Sequence, residues 1–246
     1  MVLNLVFIIF CSAALILFAL DFLFAKVAGY PPYGSFASNA EPVSVIICAK
    51  NEEKNLAVNL PVILGQQYPD FEVIVVNDGS TDRTAELIKG LMTKYANLKT
   101  VSIAGNMAGG KKYPLQRGIE FARNNILLLT DADCKPVSDQ WLNLMSRHFI
   151  DKVEIVLGYS PFEKTHTLFN YFARCDALFT GLQYLSLAIA GFPYMGVGRN
   201  LAYKKSLYHA LGGFVSYMNI LSGDDDLFVN KAATRFNTRV ELCKFA

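Results

Sequence analysis

The sequence has one tryptophan and three histidines in 246 residues. It contains no CxxC pair and no Cys/His group with metal-ligand spacing, which excludes a structural zinc site of the finger or ribbon type. Its five cysteines (Cys11, Cys48, Cys134, Cys175 and Cys243) are odd in number. They read as reduced thiols of a cytosolic domain rather than a disulfide framework. Charge of one sign is lacking too. The chain has 23 basic and 21 acidic residues, a net charge of +2, and no Lys/Arg run interleaved with aromatics. Nucleic acid is therefore not an expected partner. The common phosphate fingerprints are missing: GxxxxGK[ST] and GxGxxG do not occur, and Gly196-Val-Gly-Arg-Asn200 has two glycines but not the third. His148, His166 and His209 are isolated. They read as structural or surface residues, and no Ser–His or Cys–His nucleophile pair is evident.

Apolar residues, by contrast, are abundant. They make up 52% of the chain, and the mean hydropathy is positive. Between residues 2 and 26 the strongly polar residues before Lys26 are Asn4 and Asp21. This run is long enough to cross a hydrocarbon layer of ~30 Å at about 1.5 Å per residue. A cleaved secretory signal would need a basic start, a shorter apolar core and a small-x-small site. No Lys or Arg precedes the run. Residues 1–26 are therefore expected to be an uncleaved transmembrane anchor. Lys26, Lys50 and Lys54 follow it, and the positive-inside tendency places the remainder in the cytoplasm at the cell membrane. Residues 27–42 contain Pro31-Pro32, Gly34, Ser35, Ser38 and Asn39 and read as a linker. A second apolar stretch, residues 167–190, is interrupted by Arg174, Asp176 and Gln183. Buried charge makes a second span costly, so a helix at the membrane interface or beneath an acceptor site is expected.

From residue 43 onward, short apolar runs alternate with helix-like segments. The run at 43–48 is short, apolar and β-branched, as buried strands are, and 72–77, 98–103, 126–130 and 153–158 read as further strands. Residues 53–64, about 80–94 and 113–123 lie between them as helices. This alternation predicts an α/β domain with a mostly parallel central sheet flanked on both faces by helices. In such sheets ligands bind beyond the carboxyl ends of the strands. Three of the strand ends carry polar clusters there: Ala49-Lys-Asn-Glu-Glu53, Asn77-Asp78-Gly79-Ser80 and Asp131-Ala132-Asp133.

Each acidic group has two readings. Asp131 and Asp133 would repel and resist burial unless a cation joined them. Mg2+ or Mn2+ takes one or two carboxylates and completes its shell with phosphate oxygens and water. A solvated loop, or a cap for the helix near Asp139, explains the pair equally well. Asp78 suits a nucleobase N–H or a cap for the turn 80–84. Asp224, Asp225 and Asp226 stand in a row at an expected helix start. They could compensate the helix dipole, or one held in a cleft could act as general base. Gly109-Gly110-Lys111-Lys112 precedes a helix and could cradle phosphate.

Together the segments VSVIICAKNEEKNL, VIVVNDGSTDRT, GGKKYPLQRGIE, LLLTDADC, GVGRNLAYKK and SGDDDLF resemble, in order and spacing, family 2 glycosyltransferases with a GT-A fold. The resemblance runs from about residue 42 to 242. It implies a catalytic domain over residues 43–246, a nucleotide-sugar donor (UDP favoured) and a glycan or lipid-linked acceptor. By position, Glu52 and Asp78 would hold the nucleoside, beside Ala49, and Lys111 would lie near nucleotide or phosphate. Asp131 and Asp133 would form the Asp-x-Asp motif, Asp131 towards ribose and metal and Asp133 as metal ligand, here Mg2+ or Mn2+. Arg199 and Asn200 would border the donor and acceptor sites. Asp224 or Asp225 would be the general base of an inverting displacement. The family usually shows Glu-Asp there, and the aspartate run leaves the alignment open by one residue.

Two features depart from the resemblance. A Gln/Arg-x-x-Arg-Trp motif beyond the base, carried by many membrane-bound members, is missing, since Trp141 lies too early. The sequence also stops at Ala246, just after an expected strand, which suggests a chain cut short. Two alternatives remain: a sugar nucleotidyltransferase, whose Gly-rich loop after the first strand is absent here, and a degenerate membrane-tethered binding or scaffold domain.

Overall fold

The computed structural model describes residues 2–30, 41–104, 110–220, 222–243 and 246. Most of the expected linker, residues 31–40, and Gly109 of the glycine-lysine loop lie outside these residues.

The first helix, α1 (Val2–Ala28), carries 25 residues, Asn4–Ala28, apolar enough to cross a membrane, and no residue of its apolar window is buried. The domain then alternates as expected: β1 (Val43–Ala49), α2 (Glu53–Leu64), β2 (Phe71–Asp78), α3 (Thr84–Met92), β3 (Leu98–Ile103), α4 (Lys112–Phe121) and β4 (Ile126–Asp131). After it come α5 (Trp141–Ser146), β5 (Ile155–Gly158), α6 (Leu168–Ile189), β6 (Leu201–Lys204), α7 (Lys205–Ala210), α8 (Asp226–Ala232) and β7 (Thr238–Glu241).

The strands form one sheet in the order β3-β2-β1-β4-β6-β5-β7. All pairings are parallel except those of β6, which runs antiparallel to β4 and β5. The sheet is thus mostly parallel, as the alternation predicts. The strand missed in the sequence is β6, whose four residues follow a 3-10 turn at Gly198–Asn200.

Because the central strands are covered on both faces, their side chains divide between two cores. Val45, Ile47, Val73, Val75 and Leu128 pack with α2, α3 and α5. Ile46, Ile74, Val76, Leu127 and Leu129 pack on the opposite face with α4 and α8. The order reverses around β1, with β2 on one side and β4 on the other, so the loops after these strands open a crevice at their carboxyl ends.

Helix α6 lies along α1. Phe24 and Phe179 meet edge to face with centroids 5.8 Å apart, and Val27 reaches the second core. Helix α6 stays exposed and apolar at Leu168, Phe169, Phe172 and Phe179.

Candidate active site

Three strand ends and one helix start converge on a cleft of about 350 Å3. The end of β1 contributes Ala49 and Glu52, β2 contributes Asp78, and β4 contributes Asp131 and Asp133; Lys111 enters from the start of α4. Asp224 joins through Lys111, whose Nζ lies 3.8 Å from its carboxylate and hydrogen-bonds Asp131 Oδ1. The structure therefore gathers most of the site residues expected from sequence.

Local geometry explains the convergence. Asn51, with φ of +58°, turns the chain sharply after β1. Its carbonyl oxygen Oδ1 accepts from the Thr81 N–H at 2.8 Å, and its own N–H donates to Ser80 Oγ at 2.9 Å. The loops after β1 and β2 are thus tied together, which holds Glu52 and Asp78 on one rim. Asp78 does not cap the turn that follows it; Asp82 Oδ1 accepts from the Thr84 N–H at 3.0 Å instead. Asp78 pairs loosely with Lys50 at 3.9 Å. Beyond β4, Asn59 donates to the Ala132 carbonyl at 3.0 Å and fixes the turn between Asp131 and Asp133.

Asp131, Asp133 and Cys134 offer ligand atoms that all lie within 4.8 Å of one another. Burial, then the charges of Asp133 and Asp131, push the Cys134 thiol up to about 12. Beside this soft sulfur the group presents two hard carboxylates, the donors that suit Mg2+ or Mn2+. Cys48 in the cleft wall is likewise pushed up to about 12, chiefly by burial. Burial opposes the charge on Lys111, yet Asp131 and Asp224 outweigh it and hold the ammonium above its ordinary range.

The aspartate run divides into distinct roles. Asp225 is held by backbone: Oδ2 accepts from the Gly198 N–H at 2.7 Å and Oδ1 from the Asp226 N–H at 2.8 Å. A side chain at position 198 would crowd Asp225 at 3.3 Å, so this approach suits glycine. Asp226 Oδ1 accepts from the Leu227 N–H at the start of α8. Asp224 is only 13% exposed, and burial followed by the charge of Asp225 raises its carboxyl above the usual range against the pull of Lys111.

Arg199 and Asn200 stand apart from the acidic cleft. Asn200 is buried; its Oδ1 accepts from Trp141 Nε1 at 3.0 Å and its Nδ2 donates to the Tyr159 carbonyl at 3.1 Å. Arg199 sits over the Phe162 ring at 4.6 Å and lines a second cavity of about 220 Å3 with Tyr159, Asp176 and Tyr184. Its Nε is buried and has no hydrogen-bond partner among the described residues. The second cavity escaped the sequence reading, because β5, α6 and the 197–199 segment meet only in space. Lys112, next to Lys111, is buried and donates to the Ile220 and Ser222 carbonyls at 2.5 Å, which fixes the loop before Asp224.

The model of glycosyl transferase family 2 matches residues 44–212. A beta-monoglucosyldiacylglycerol synthase of Nostoc sp. is 28% identical over 153 residues, 61% of this chain and 32% of that protein. A 4,4'-diaponeurosporenoate glycosyltransferase of Staphylococcus haemolyticus is 33% identical over 140 residues, 53% and 36% of the two chains. The chain thus matches about a third of the length of these relatives. Among solved structures, the mannosyltransferase PcManGT from Pyrobaculum calidifontis, in complex with GDP-Man and Mn2+, superposes with a TM-score of 0.67 at 20% identity, over 94% of this chain and 67% of that one. S. aureus TarS 1-349 in complex with UDP-GlcNAc gives 0.58 at 20% identity, over 81% and 55%.

Proposed function

The chain belongs to glycosyltransferase family 2, and from that membership we propose that it transfers a sugar from a nucleoside-diphosphate donor to a hydroxyl acceptor by one inverting displacement. The observation that carries this reading is the single cleft that unites Asp78, Asp131, Asp133 and Lys111 at the strand ends with Asp224 beside Lys111. Asp78 and Glu52 receive the nucleoside, and Lys111 receives the diphosphate. UDP is the favoured base.

The two carboxylates fit a divalent hard cation, Mg2+ or Mn2+, with Asp133 and Asp131 as its protein ligands. When bound, such an ion neutralises charge on the leaving nucleoside diphosphate. Asp224 is the general base: burial raises its carboxyl, whereas both oxygens of Asp225 are taken by backbone N–H groups. Asp225 is thus already committed as a double hydrogen-bond acceptor. Asp225 then holds the 197–199 segment, and Arg199 with Asp176 and Tyr159 forms the acceptor side. Helix α1 anchors the catalytic domain at the cytoplasmic face of the membrane, where a lipid-linked or glycan acceptor is within reach.

Calorimetric titration with UDP and then GDP, each with Mn2+ and with EDTA, tests the donor site. One nucleotide should bind in a metal-dependent manner, and Asp133→Ala should abolish that binding. A folded chain that binds neither nucleotide would overturn the reading.

A further inference from the structure

A cavity of about 320 Å3 lies where α1 leaves the expected membrane span, lined by Tyr30, the end of α6 at Ala188–Gly191, and Arg235, Thr238 and Arg239. It is remote in the fold from the acidic cleft, which is built at the carboxyl ends of β1, β2 and β4. We propose that it binds the phosphate-bearing headgroup of an anionic membrane lipid.

Three observations carry the proposal. The cavity is at headgroup level if α1 spans the bilayer, because Tyr30 follows the apolar stretch Asn4–Ala28 by two residues. Two guanidinium groups line it, and neither is ion-paired with a described carboxylate. Arg239 donates to the Thr238 carbonyl at 3.1 Å, and Arg235 stacks 5.0 Å from the Phe236 ring. Phe192 and Phe236 beside it are 71% and 68% exposed, apolar side chains of the kind that insert at the headgroup–acyl boundary. The carbonyl end of α6 attracts cations, but that terminus amounts to about half a charge. Set against two guanidinium charges, it leaves about one and a half in excess for a phosphate. Arginine's forked donors suit phosphate oxygens, and basic residues just cytoplasmic of a span bind anionic lipids.

The inference rests on α1 crossing the bilayer, which resistance of the full chain to alkaline carbonate extraction tests separately. A chain released by carbonate has no headgroup level, and the proposal falls with it. For the site itself, native mass spectrometry of the detergent-solubilised full chain would follow retention of phosphatidylglycerol, phosphatidylcholine and inorganic phosphate. Phosphatidylglycerol should be retained in preference to phosphatidylcholine. Each arginine is worth about fivefold, so Arg235→Gln with Arg239→Gln should weaken retention about 25-fold. Arg235 is exposed, so Arg235→Glu tests the same point without touching the core if the double variant misfolds. Arg235→Lys with Arg239→Lys should retain most binding. Equal retention of the two lipids, wild-type retention by both the double and the glutamate variant, or phosphate displacing the lipid at similar concentration would each overturn the assignment.

Discussion

Asp224 and Asp225 are neighbours in sequence but meet opposite surroundings, and the difference yields separable predictions. Asp224→Asn removes a carboxylate raised by burial and placed beside Lys111. Loss of a general base typically costs 10²–10⁴-fold, so kcat should fall about that much while nucleotide affinity, measured by calorimetry, stays within about twofold. Asp225→Asn leaves one of two backbone donors, at Gly198 or Asp226, without its charged acceptor. Its signature should be a lowered melting temperature, equivalent to about 1–3 kcal/mol, with a smaller loss of kcat. The reverse ranking of the two kcat values would exchange the roles. A second residue-scale test lies away from the cleft. Glu241 is buried with Arg147 and His148, both within 2.8 Å of its Oε2. Burial pushes its carboxyl upward, but hydrogen bonds from His148 and the Cys243 N–H and the charges of His148 and Arg147 hold it below the usual range. A depressed carboxyl contributes stability above its unfolded value, about 4.3, and loses it as pH falls through the lower folded value. Melting temperature should therefore drop on acidification below about pH 4.3, and Glu241→Gln should lower it at neutral pH and flatten that part of the profile.

At the scale of elements, what could be read from sequence depended on length and burial. The runs at β1, β2 and β4 are apolar because they are covered on both faces, so the pattern locates each within about two residues. β6 escaped because Leu201–Lys204 is four residues long and is defined only by antiparallel pairing with β4 and β5. The acidic strand ends were legible for the same reason as the strands: a carboxylate directly after a buried run has few places to go but the crevice. Asn200 and Arg199 were not. Their side-chain directions depend on Trp141, Phe162 and α6, which no spacing encodes. The order of the aspartates was equally hidden, because it depends on which oxygens meet the Gly198 N–H. Helix–sheet packing adds a prediction of its own. A Cβ on Gly118 of α4 would come within 2.7 Å of Ile46 Cγ2 and 2.9 Å of Val76 Cγ2. Gly118→Ala should force α4 off the sheet and cost about 1–3 kcal/mol, a fall of several degrees in melting temperature. An unchanged melting temperature would mean that α4 is not seated as described.

For the whole molecule, the decisive relation is that between α1 and α6. They meet at Phe24 and Phe179. Leu168, Phe172, Cys175 and Phe179 recur at spacings of four and three, which sets them on one face of α6. Asp176, Thr180 and Tyr184 of the same helix line the cavity beside Arg199. One side of α6 thus lines the cavity proposed for the acceptor, and another extends the apolar surface of α1. An exposed apolar stripe continuous with a membrane span is stable in lipid rather than water. This arrangement predicts that α6 lies at the bilayer surface and delivers a lipid-borne acceptor edgewise to Asp224. The lone tryptophan makes the prediction measurable. Trp141 is 3% exposed in the core, so bromine-labelled lipids should leave its fluorescence unquenched in reconstituted vesicles. Phe172→Trp should add an emission component that the same lipids quench strongly. If the new component stays unquenched while the chain remains vesicle-bound, α6 faces water, and the acceptor must reach the cavity from the aqueous side.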